Sequence, residues 1–86
     1  MLDPELRQRA ILGGLRNMSN DIITRPRPRA QYIHYWRSVR KKIIETIPDL
    51  QDPGNLKGIL GILDKYQSIK NQDSPNIARD ILEYMK

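Results

Sequence analysis

Apolar residues in the middle of the chain recur on a helical period. Tyr32, Trp36, Val39, Ile43 and Ile47 follow one another in steps of three or four, so at 100° per residue they fall in one narrow stripe. Ile33 and Ile44 widen it. This pattern predicts a helix from about Pro28 to Ile47, stopped by Pro48, whose missing N–H cannot continue the ladder. A second run, Leu56, Ile59, Leu60, Leu63 and Tyr66, predicts a helix from Pro53 to about Lys70. Ile62 and Ile69 extend its apolar arc to roughly half the circumference, as expected of a central helix touching two neighbours. Gly58 and Gly61 sit on or near its remaining face, where they would permit close backbone approach. Ile77, Ala78, Ile81, Leu82, Tyr84 and Met85 form one broad apolar face on a last helix that starts at Pro75. At the other end, Ile11, Leu12, Leu15 and Met18 share one side of a first helix from about Pro4 to Met18. Arg9 and Arg16 lie together on another side.

The punctuation agrees with these elements. Asp3-Pro4, Asp52-Pro53 and Ser74-Pro75 each pair a side-chain oxygen that can accept orphan N–H groups with a proline preset for the first helical turn. Gly13-Gly14 in the first helix costs about 1 kcal/mol per glycine relative to alanine. The pair is expected to permit close helix packing; the sharper alternative is a hinge, or a break into two short helices. Asn17 to Arg29 reads as a loop, because Ser19-Asn20-Asp21 is turn-prone and Arg25-Pro26-Arg27-Pro28-Arg29 favours an extended, polyproline-like path. No segment alternates with period two. The expected fold is all-α without a sheet: one compact domain over residues 1–86, a bundle of four helices, or five if the glycine pair breaks the first.

Composition sets the limits on this core. The chain has 86 residues, no cysteine and no phenylalanine, and Val39 is its only valine. Disulfides and thiolate metal sites are therefore excluded, and stability must come from Ile and Leu packing around Trp36 and the tyrosines, or partly from self-association. No apolar run approaches the roughly 18 residues of a membrane span. The N-terminal residues are acidic and lack an apolar secretory core. The expectation is an intracellular, soluble, cytoplasmic protein with no integral membrane association.

Net charge is +5, and its distribution carries more information than its sum. Arg25, Arg27, Arg29, Arg37, Arg40, Lys41 and Lys42 fall in a stretch, Ile22 to Ile44, that holds no acid. In the predicted second helix, Arg37 and Lys41 lie opposite the apolar stripe beside His34, and Lys42 lies on a flank near Tyr35. Arg40 falls inside the apolar arc, where an arginine must snorkel, pair with an acid, or face a partner. From Glu45 onward acids outnumber bases.

Enzyme chemistry finds little footing in this inventory. His34, the only histidine, has Ser38 one turn away as a conceivable nucleophile, yet no third group orients the pair and no oxyanion signature flanks it. The acids are scattered. Asp49 to Gly54 lacks the ligand density of a calcium loop, and Gly58 to Gly61 lacks the lysine and hydroxyl that complete a phosphate cradle. No catalytic residue, metal or cofactor is expected, short of a site shared between subunits. The basic stretch instead suits phosphate. Guanidinium forks donate paired hydrogen bonds to it, and no neighbouring acid quenches the field. The sequence reading is a small basic module that binds DNA or RNA through phosphate contacts with little sequence preference, by way of Arg25, Arg27, Arg29, Arg37 and Lys41, supported by Arg40 and Lys42. The alternative is a non-enzymatic adaptor or assembly protein that self-associates, or binds an acidic partner, through an apolar face of the third or fourth helix. Tyr32 and Trp36 are assigned to the core and not to base stacking.

Overall fold

The computed structural model describes residues 3–25, 29–66 and 74–86, the side chains of Arg29 and Ala30 excepted. Four α-helices follow in order: α1 (Pro4–Thr24), α2 (Arg29–Thr46), α3 (Gly54–Lys65) and α4 (Ser74–Tyr84), with a single 3-10 turn, Ile47–Asp49, after α2. Among the described residues there is no strand. The fold is the expected all-α bundle. Its radius of gyration, 12.6 Å, lies close to the roughly 12 Å of a compact domain of this length.

The first helix is longer than its sequence suggested. Asn17 to Thr24, expected as loop, is the last third of α1. Ser19-Asn20-Asp21 has turn propensity, but the apolar stripe continues past it to Ile22, which is 3% exposed, and Ile23, which packs on the core. Burial of those two isoleucines overrides the local preference, which is worth only tenths of a kcal/mol per residue. Ser19 itself is fully buried. The helix stops where backbone chemistry requires it. Arg25 precedes Pro26, a position that disfavours helical geometry, and it takes φ −135° and ψ 76° while its N–H still donates to the Asp21 carbonyl at 2.8 Å. At the other end Asp3 caps as expected, its Oδ1 accepting from the Glu5 N–H at 3.1 Å.

Gly13-Gly14 neither breaks α1 nor lets a neighbour approach. The helix runs through the pair, and a Cβ at either position would meet nothing within 4 Å. The close packing and the break expected at that pair are both overturned, and among the described residues the bundle has four α-helices. Close approach occurs instead at Gly58 on α3, where the Tyr84 ring of α4 occupies the place a Cβ would take and the Tyr84 hydroxyl donates to the Gly54 carbonyl at 3.2 Å. Gly61 has open space around it.

The α2 stripe builds the centre. Tyr32, Trp36 and Ile43 are buried, and Val39 and Ile47 pack beside them. Ile44 does not join them; it is 42% exposed. Leu56, Ile59 and Leu63 of α3 and Ile77, Ala78 and Ile81 of α4 close the core. The apolar faces of α3 and α4 are thus largely turned inward, toward each other, with α2 packing on α3 and α1 packing most extensively on α4, while Tyr84 of α4 stays 45% exposed. Polar ties fix these contacts. The Trp36 Nε1–H donates to the Ser74 hydroxyl at 3.2 Å in the interior. Ser74, expected only to start α4, therefore joins that helix to α2. The Tyr66 hydroxyl donates to Asp80 at 2.8 Å, pinning the end of α3 to α4. Asp52 accepts from the Gly54 N–H at 3.3 Å at the start of α3. Among the described residues α3 ends at Lys65; the expected continuation to Lys70 falls partly outside them.

Candidate nucleic-acid interface

The core stripe of α2 leaves its other side to solvent. Gln31, His34, Tyr35, Arg37, Ser38, Lys41, Lys42, Ile44 and Glu45 are all exposed. Arg37 and Lys41 stand one turn apart, with side-chain origins roughly 5–6 Å from each other, and Lys42 stands beside them toward α1. None of the three makes an ion pair among the described residues. Several cations elsewhere are engaged: Arg7 with Asp49 at 3.1 Å, Arg9 with Glu5 at 3.3 Å and Lys65 with Asp80 at 3.9 Å. Lys57 and Arg79 are exposed but stand singly on α3 and α4. The first acid to interrupt the α2 face is Glu45, at its C-terminal end.

Arg40 belongs to a different surface. Its Nε–H donates to Asp64 Oδ1 at 2.8 Å, joining α2 to α3 across residues far apart in sequence. The arginine inside the apolar arc is accommodated by pairing with an acid at the partly exposed edge of the core, and its guanidinium is committed there. Arg25 is exposed at the end of α1. Arg29 opens α2, with its side chain outside the described atoms, and Arg27 lies outside the described residues. Arg25 caps one helix and Arg29 begins the next; the extended path expected between them falls on residues 26–28, outside the described residues.

Two features escape the sequence reading. Arg16, set aside as a side-face residue of the first helix, is exposed and unpaired among the described residues. In addition, α1 and α2 do not close completely on each other. Ile11, Gly14 and Met18 of α1 and Tyr35, Val39 and Lys42 of α2 line an open groove of about 310 Å³. An adjoining hollow carries it on past Arg7 and Glu45. Helical spacing predicts the stripes but not the angle at which two helices splay, so nothing in the sequence marks this groove. A larger hollow of about 570 Å³ is lined by Asp3, Glu5, Asp49 and Asp52. It lies at the start of α1, while Arg25 lies at its end, about 32 Å away by helical rise. Its charge is wrong for phosphate.

His34 and Ser38 are both exposed, with no acid near the imidazole on that face before Glu45, three turns away. Among the described residues no group of three or more His, Cys, Asp or Glu is placed to hold a metal ion, and no helix is long and apolar enough to cross a membrane. Compared with known proteins, the chain matches no family model, no curated protein and no solved structure.

Proposed function

We propose that this protein binds nucleic acid through the solvent face of α2, with phosphate contacts from Arg37, Lys41 and Lys42 and further contacts from Arg25, Arg27 and Arg29. One observation carries the reading: Arg37 and Lys41 on the outer face of α2 and Lys42 on its flank toward α1 are exposed and make no ion pair among the described residues, and α2 holds no acid before Glu45, while the opposite side of the same helix is buried in the core. Exposed cations that make no ion pair among the described residues keep their charge for a polyanion, although Glu45, one turn beyond Lys41 and Lys42, reduces the field at that end of the helix. Contacts of this kind position a backbone and do not read bases, so little sequence preference is expected.

The competing adaptor reading has less to draw on. Most of the apolar surface of α3 and α4 is turned inward, Leu56, Ile59, Ile77 and Ile81 being fully buried, and what stays open on α4 is Tyr84, 45% exposed, and the half-buried Leu82.

Binding measured against salt tests the proposal. Three neutralised phosphates on duplex DNA give a slope of about −2.7 in log K against log salt, and a steeper one if the residues around the α1–α2 connection take part. The triple variant Arg37→Glu, Lys41→Glu, Lys42→Glu should lose binding at every salt concentration. A salt-independent affinity, or a triple variant that binds like the parent, would refute it.

A further inference from the structure

We infer that the groove between α1 and α2 seats an unstacked base of a single-stranded nucleic acid, with Tyr35 stacking on the base and Lys42 holding the adjoining phosphate. The inference rests on the nucleic-acid reading above and narrows it to a class of strand.

Tyr35 is 48% exposed. Unlike Tyr32 and Trp36, it lies outside the core, on the wall of the groove. The other walls are the apolar side chains of Ile11, Met18 and Val39, which suit the face of a flat heterocycle better than a charged group. Gly14 has no side chain to fill the space, and no neighbour lies within 4 Å of where its Cβ would be. The volume of about 310 Å³ is at the lower edge of the roughly 300–1,000 Å³ typical of small-ligand sites. Charge runs the right way for the strand that would carry the base. Lys42 lines the groove, Lys41 and Arg37 continue outward from it on α2, and Arg25 follows Ile11 and Met18 at seven-residue intervals on the same side of α1. Glu45 stands only in the adjoining hollow, at the end away from Arg25. Aromatic stacking beside a basic track is how sequence-tolerant single-strand binders work. A duplex keeps its bases in the stack and cannot fill such a groove, so it would meet only the cations.

The test compares a labelled single strand of about 20 nucleotides, longer than the roughly 4–16 that one small module covers, with the duplex of the same sequence. Equilibrium binding is followed by anisotropy on the full chain. Tyr35→Ala should weaken single-strand binding roughly 5- to 150-fold, the range for loss of one stacked base, and leave duplex binding unchanged. Tyr35→Phe, which keeps the ring, should bind like the parent. Gly14→Leu, whose Cβ would meet nothing within 4 Å and whose side chain stands on the groove wall, should reproduce the selective loss. Far-ultraviolet circular dichroism melts verify that each variant folds. If Tyr35→Ala and Gly14→Leu leave single-strand affinity intact, or weaken both forms equally, the groove assignment is wrong while the α2 reading stands on its salt slope. If heparin, which has no bases, competes as well against Tyr35→Ala as against the parent, stacking adds nothing and the inference is again overturned. Absence of binding to either nucleic acid overturns the parent reading and this one together.

Discussion

Trp36 and Tyr35 are neighbours in sequence with opposite assignments. The indole is 3% exposed, and its N–H is satisfied by the Ser74 hydroxyl; the phenol next to it is turned to solvent. Loss of the indole by Trp36→Ala should cost about 3–5 kcal/mol, as for other large buried aromatics. Ser74→Ala should cost about 1–3 kcal/mol, because it strands a buried N–H donor. Urea titrations followed by circular dichroism read both, and a Ser74→Ala protein as stable as the parent would remove that bond from the account. At this scale the sequence was legible where periodicity decides and opaque where pairing decides. Tyr32, Trp36 and Ile43 were core residues by spacing alone. Arg40 was recognisably misplaced in its stripe, but the acid that accepts it, Asp64, is 24 residues away, and no local pattern names it.

Among the elements, α1 departs most from its sequence. Polar Ser19-Asn20-Asp21 hid the continuation of its stripe to Ile22, because turn propensity is read locally and burial is not. The glycines show the same limit. Gly13-Gly14 and Gly58 are alike in sequence, yet only Gly58 lies against another helix. Gly13→Ala and Gly14→Ala should therefore each stabilise the protein by up to about 1 kcal/mol. Gly58→Ala should bring no such gain, since the new methyl displaces the Tyr84 ring and breaks its bond to Gly54. In a Tyr84→Ala background the obstruction is gone, and Gly58→Ala should recover the helical gain of about 1 kcal/mol. Denaturation midpoints of the four proteins in that cycle decide it. Additive effects would mean that the ring does not sit over Gly58.

For the molecule as a whole, the all-α class followed from apolar spacing and three proline-marked starts, which left open whether the first helix is one or two. Packing did not, because no pattern in the sequence names the partner of α1, whose most extensive contact is with α4, far from it along the chain. Folding therefore depends on closing the two ends together. A chain ended before Ser74 loses Ile77, Ala78 and Ile81 from the core and the acceptor for Trp36. In a domain whose total stability is of the order of 5–15 kcal/mol, such a chain should show no cooperative melt and no near-ultraviolet dichroism. A truncated chain that still melted cooperatively would mean that α4 is an accessory to the bundle and not part of its core. The burial of Trp36 also has an optical consequence. The protein's single tryptophan is sealed in the core on the far side of α2 from the basic face, so its emission reports the docking of α4 and stays silent when a ligand occupies the solvent face. The chain thus carries its own reference signal: a ligand that changes the tryptophan spectrum has altered the fold, and one that does not has only occupied the surface.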